Sequence, residues 1–183
     1  MTTGRGGSRT AQAHDLQFAR ESVACAADAV GRGDQPFGAV VAVGANRLVA
    51  SCNEVLATHD PTAHAEIVAI RAAVNVRAKH QLDDCTLYAS CEPCVMCAGA
   101  IAWSGIRRVF FCLPREIAER YGFPDVLPRQ ISRAATAAIE IIQVAELASD
   151  ACAPFDDWAR LYSGKAQSVP LDPEDKGRTV RRW

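Results

Sequence analysis

The chain has 183 residues, 49% of them hydrophobic and 22% charged, which is apolar content enough for the core of one domain. Its 20 basic and 21 acidic side chains leave a net charge of −1, so no basic field favours a nucleic-acid partner, and no segment is long and apolar enough to span a membrane. Eight cysteines follow a start that carries no apolar leader. The expected compartment is therefore the reducing cytoplasm, with Cys25, Cys52, Cys85, Cys112 and Cys152 as small buried hydrophobes.

Residues 1–13 are rich in Gly, Ser and Thr and are expected to be disordered. From Asp15 to Val30, the residues Leu16, Ala19, Val23, Ala27 and Val30 recur at helical spacing, and Gly31-Arg32-Gly33-Asp34 ends the run. Two strands, Ala39–Val43 and Leu48–Cys52, flank Gly44-Ala45-Asn46 and read as a hairpin. A polar loop with Asp60-Pro61 leads to a helix from His64 to about Ala78, with Ile67, Ile70 and Val74 on one stripe. Thr86–Ser90 is a strand, the Cys94 helix runs to Trp103 and is apolar nearly all round, and Val109–Leu113 is an apolar strand suited to a central position. A short helix from Glu116 to Tyr121, a loop from Gly122 to Pro128, a strand from Glu140 to Val144 and a helix from Phe155 to Leu161 follow. The expectation is one α/β domain over residues 14–164, with a mixed five-stranded sheet between helices, and a solvated tail over 165–183.

His64-Ala65-Glu66 and Pro93-Cys94-Val95-Met96-Cys97 carry the chemistry. One imidazole and two thiolates provide three protein ligands for a tetrahedral zinc and leave a fourth position open, as a catalytic site needs. Zinc lowers the pKa of bound water to about 7, and a carboxylate beside it, here Glu66, can take the proton and pass it on. His-x-Glu followed by Pro-Cys-x-x-Cys is the signature of zinc deaminases, with the glutamate as acid/base and not as ligand. Cys94 and Cys97 share the first turn of a helix opened by Pro93, where amide donors and the helix dipole favour thiolate. His64 and Glu66 would diverge on a regular helix, so the metal is expected where their helix begins.

Three other readings compete. Cys91 could complete His64, Cys94 and Cys97 as a closed structural zinc site, but such a site gives Glu66 no work. A redox Cys-x-x-Cys needs no His-Ala-Glu partner. Chance is a poor account of five residue types at fixed local spacing.

From about Gln35 to Lys165 the chain resembles the cytidine deaminase-like superfamily, and within it the bacterial guanine deaminases. The resemblance lies in Pro36-Phe37-Gly38-Ala39-Val40, Asn53, Asp60-Pro61-Thr62-Ala63-His64-Ala65-Glu66, Leu82-Asp83-Asp84-Cys85, Tyr88-Ala89-Ser90-Cys91-Glu92-Pro93-Cys94 and Gly122-Phe123-Pro124-Asp125. It implies the three-layer fold of that superfamily, one zinc per chain on His64, Cys94 and Cys97, and proton shuttling by Glu66. It further implies that Asn53 and the backbone of Ala65 read the base edge, that Phe37 and Trp103 wall the base pocket, and that Asp125 is a second acid for the leaving amine. Pro124 stands where an acidic residue is usual in the family.

Each of these residues also has a plainer role available. Asn53 suits a turn after a strand, Phe37 and Trp103 suit a core, and Asp125 suits a solvated loop. His14, His59 and His80 read as surface histidines, and Trp183 has no assigned role.

The expected reaction is hydrolytic deamination of a purine base, guanine to xanthine with release of ammonia, on a small-molecule nucleobase and without nucleic acid or membrane as partner. The resemblance also implies a homodimer, with C-terminal segments that can exchange between subunits. Deaminases of guanosine, cytosine or an aminotriazine such as ammeline share the motif, as do tRNA adenosine deaminases, for which the net charge of −1 and Pro114-Arg115-Glu116 leading to Gly122 are a poor match. A catalytically silent zinc-stabilised binding protein is the alternative outside enzymes, and intact Glu66 argues against it.

Overall fold

The computed structural model describes residues 12–124 and 137–162. Its elements are α1 (Ala13–Gly31), β1 (Gly38–Val43), β2 (Asn46–Cys52), α2 (Val55–Thr58), α3 (Ala65–Arg77), β3 (Thr86–Cys91), α4 (Val95–Ser104), β4 (Arg108–Leu113), α5 (Arg115–Arg120), β5 (Glu140–Gln143), a 3₁₀ turn (Ala145–Leu147) and α6 (Ala148–Tyr162). The five strands form one mixed sheet in the order β2-β1-β3-β4-β5. β1 runs antiparallel to β2 and to β3, whereas β3, β4 and β5 are parallel.

Alternation along the central strands divides the core into two layers. Val40, Ala42, Tyr88, Phe110 and Cys112 face α1 and α6, where they meet Phe18, Ala19, Ala151 and Phe155. Ala39, Val41, Leu87, Ala89, Val109 and Phe111 face the other way and pack on Ala65, Ala69 and Ala73 of α3 and Ile101 of α4. The result is helices, sheet, helices: the three-layer arrangement expected. Tyr88 and Phe110 stack at 5.3 Å with 4° between their planes, and both are fully buried. Burial of side chains of this size stabilises the fold by roughly 1.5–3 kcal/mol each.

Gly38 permits the close approach of α1 to β1. A Cβ there would lie 2.2 Å from the carbonyl oxygen of Ser22 and 2.6 Å from the backbone nitrogen of Ala26, so no larger residue fits without moving the helix. The Gly38 N–H donates to Ser90 Oγ, tying β1 to the end of β3.

Four departures from the sequence reading have physical reasons. α1 begins at Ala13 with Gln12 as N-cap, since the Gln12 N–H donates to Asp15 Oδ2 in a capping box; residues 1–11 and 163–183 lie outside the described chain. The polar loop before Asp60 contains α2, whose Leu56 and Ala57 amides are capped by Asp34 from a distant turn. α6 starts well before Pro154 and carries it in its interior, with Ala151, Pro154 and Phe155 on the buried side, so packing outweighs the lost backbone bond. α4 is not buried all round: Met96 is exposed and Trp103 is 89% exposed. Trp103 and Ala100 edge an open groove that α3 lines with Ile67, Ile70 and Val74. Among the described residues no helix is long and apolar enough to cross a membrane.

Candidate active site

Two helix starts meet, as the spacing of the motifs requires. His64 is the N-cap of α3 and Cys94 the N-cap of α4, both with extended backbone (ψ 150° and 172°) that turns the side chain away from the helix it opens. Pro93 therefore stands one residue outside α4, with the cap between it and the helix. An Asx turn shapes the approach to His64: Asp60 Oδ1 accepts from the Thr62 amide at 2.8 Å and from the Thr62 hydroxyl at 2.7 Å.

His64 Nδ1 lies 3.6 Å from the sulfur of Cys94 and 3.6 Å from that of Cys97. The three ligand atoms fall within 4.8 Å of one another. Tetrahedral zinc with Zn–N of about 2.05 Å and Zn–S of about 2.3 Å needs a nitrogen-to-sulfur separation of about 3.6 Å, so this donor set fits the ion. Among the described residues, His64, Cys94 and Cys97 form the candidate zinc site.

The charges at the site depend on one another. Hydrogen bonding from the Cys97 thiol and from His64 overcomes burial and holds the Cys94 thiol down at about 3, while burial and the Cys94 charge push the Cys97 thiol well up. Burial pulls His64 downward, but the Cys94 sulfur and the Glu66 charge outweigh it and leave the imidazole raised. Glu66, in the first turn of α3, is 7% exposed. Burial raises its carboxyl above the ordinary range, and the Cys94 charge pushes the same way.

Cys91 is outside this cluster. It packs with Phe110 and Phe155, and burial pushes its thiol up to about 12, as for a neutral core cysteine. Of the remaining cysteines, Cys85 and Cys112 are buried, whereas Cys25, Cys52 and Cys152 are only half-buried, so the buried-hydrophobe reading holds for two of the five. All are free thiols.

The other sequence-chosen residues have different fates. Asn53 is 1% exposed and follows β2; its N–H donates to the Phe37 carbonyl at 2.9 Å, closing the β1–β2 hairpin beyond the Gly38–Cys52 pair. Its side-chain Nδ2 donates to Asp34 Oδ1 at 2.6 Å, and its Oδ1 is buried with no hydrogen-bond partner among the described residues. Ala65 is fully buried at the first turn of α3, where backbone amides lack intrahelical acceptors. Phe37 is half-buried and packs edge-on against Phe123 at 5.1 Å and Phe155 at 5.2 Å, so much of its ring serves the core. Trp103 is not brought to the cluster. Six residues beyond Cys97 on the same helix, it points to another face and stands in solvent. Asp125 lies outside the described residues.

Two residues near the site carry no signal in the sequence. Asp34 reads only as the end of a helix, and the hairpin alone brings it to Asn53, nineteen positions away. Arg115 is buried at the start of α5, its N–H donating to Glu92 at 3.1 Å and its guanidinium 6.0 Å from the Phe37 ring centre. Its charge acts on His64, Glu66 and Cys91.

The profile of the cytidine and deoxycytidylate deaminase zinc-binding region matches residues 12–113. The chain belongs to this family. A guanine deaminase of Bacillus subtilis is 38% identical over 151 residues, 81% of this chain and 96% of that protein. A solved guanine deaminase from Nitrosomonas europaea superposes with a TM-score of 0.74 at 26% identity, covering 85% of this chain and 89% of that one. A tRNA-specific adenosine deaminase of Buchnera aphidicola is 38% identical over 89 residues, 49% of this chain and 55% of that protein. The enzyme is thus a zinc-dependent hydrolytic deaminase, with its candidate metal site at the two helix starts.

Proposed function

We propose that this deaminase hydrolyses the amino group of a purine base, converting guanine to xanthine and ammonia. The observation that carries the substrate is the near full-length likeness to a guanine deaminase, 81% of this chain against 49% for the tRNA-specific relative. The site fits a free base: Asn53 brings a buried acceptor beside Phe37, and the net charge of −1 offers a polynucleotide no steering.

Zinc bound on His64, Cys94 and Cys97 supplies the Lewis acidity that makes water a nucleophile at neutral pH. Glu66 takes the proton of the attacking water onto its carboxylate and delivers it to the ring nitrogen next to the carbon under attack. A carboxyl raised by burial suits this transfer, because its carboxylate is a stronger base toward the water than an exposed glutamate and its acid form holds the proton until the ring nitrogen takes it. Asp125, from the segment after α5, is assigned the second proton, given to the leaving amine. Asn53 and the Ala65 backbone hold the base edge, and Phe37 walls the pocket. The enzyme acts as a homodimer in the cytoplasm, and the apolar groove flanked by Trp103 is the face offered to a second subunit. Ammonia release from guanine by the zinc-loaded protein, compared with other bases and tRNA, tests the assignment.

A further inference from the structure

Asn53 is held more tightly than a turn residue needs to be. Its Nδ2 donates to Asp34 Oδ1 at 2.6 Å, and both residues are buried, at 1% and 2% exposure. Asp34 is itself pinned. Its Oδ1 also accepts from the Gln35 N–H at 2.8 Å, and its Oδ2 accepts from the Leu56 N–H at 3.1 Å and the Ala57 N–H at 3.0 Å. Four donors converge on one carboxylate, so it cannot turn. Reversing the Asn53 amide would set its oxygen against a carboxylate oxygen at hydrogen-bond distance, two acceptors with no proton between them. The amide therefore has one stable orientation, and the atom left over is Oδ1, buried and without a hydrogen-bond partner among the described residues.

We infer that Asp34 is a positioning residue that sets the polarity of the substrate contact: it commits Asn53 Nδ2 inward, so that Oδ1 meets the substrate and the site selects bases presenting an N–H donor at that edge. The inference rests on the nucleobase reading above. A buried acceptor left unpaired is costly, so a base with a bare ring nitrogen or a carbonyl at that edge is rejected and one with an N–H is held. Guanine, with N–H groups on its ring and its 2-amino group, meets the requirement.

Asp34→Asn keeps the shape and inverts the chemistry. With its oxygen on the Leu56 and Ala57 amides, its Nδ2 faces Asn53 at the cost of the Gln35 N–H bond, and the Asn53 amide turns over to accept, withdrawing Oδ1 from the site. The test is a double-mutant cycle of Asp34→Asn and Asn53→Ala, read as kcat and KM with zinc content in parallel, on whichever of guanine, guanosine, adenine, cytosine and ammeline the parent turns over fastest. We expect either single variant to lose roughly ten- to a hundredfold in kcat/KM with zinc retained, and Asp34→Asn to cost less than about twofold once Asn53 is alanine. Equal losses in both backgrounds, or a parent-like single variant, would overturn the role of Asp34. A parent that prefers a base other than guanine would sink the substrate assignment alone. Should the variant not fold, or no base be turned over, the parent itself decides through the Asn53 side-chain amide resonances, assigned by their loss in Asn53→Ala. An Nδ2 proton protected from exchange with solvent supports the fixed amide; exchange of both protons as fast as in an exposed asparagine overturns it.

Discussion

His64 Nδ1 and Cys94 Sγ stand 3.6 Å apart although thirty positions separate them in the chain. Each is the cap residue of its helix, so the metal site depends on where α3 and α4 begin.

Glu66→Gln removes proton transfer and keeps the volume of the side chain. Turnover is expected to fall by about a hundred- to ten-thousandfold while the protein stays folded and holds one zinc. Metal analysis beside steady-state rates checks this: loss of zinc would make Glu66 a ligand, and full activity would remove it from the mechanism.

The thiols set the pH dependence of metal binding. Cys97 is raised well above its ordinary value and so carries a proton that the ion must displace, His64 is shifted in the same direction, and Cys94 at about 3 is already ionised. Affinity therefore rises with pH, by roughly tenfold per unit for each proton displaced. Competition against a chelator between pH 6 and 8 measures the slope, and a flat profile would contradict the protonation pattern. In the same assay Cys91→Ser retains one zinc and Cys94→Ser loses it. Equal loss from the two would restore a closed four-ligand site.

Gly38→Ala places a methyl group against backbone atoms of α1, where no side chain can yield. Overpacking of this kind costs about 1–3 kcal/mol. Urea unfolding should show a lower midpoint with an unchanged slope; a midpoint equal to that of the parent would mean that α1 shifts freely.

Trp103→Glu alters a residue that the fold does not bury. Zinc content and thermal stability of the subunit should persist, and sedimentation velocity should show the proposed dimer dissociating. A dimer unaffected by the charge would place the interface elsewhere.

The elements legible in the sequence are those with strong local periodicity or a fixed motif. All five strands, α1, α3 and the zinc ligands fall into that group, because alternation and metal-ligand spacing are properties of neighbouring residues. What eluded the sequence depended on tertiary contact. α2 is too short to show a period and is capped by Asp34 from outside. α6 runs through Pro154 because burial of Ala151 and Phe155 outweighs one missing backbone bond. Trp103 has an apolar side chain that suits a pocket wall, yet the turn of α4 carries it to solvent. Asp34 and Asn53 meet only through the register of β1 with β2.

Ammonia release by the zinc-loaded protein on guanine, guanosine, adenine, cytosine, ammeline and tRNA bears most directly on what the site is for. The account predicts guanine as the preferred substrate, xanthine as its product and no turnover of tRNA. Activity on tRNA above that on every free base would contradict it.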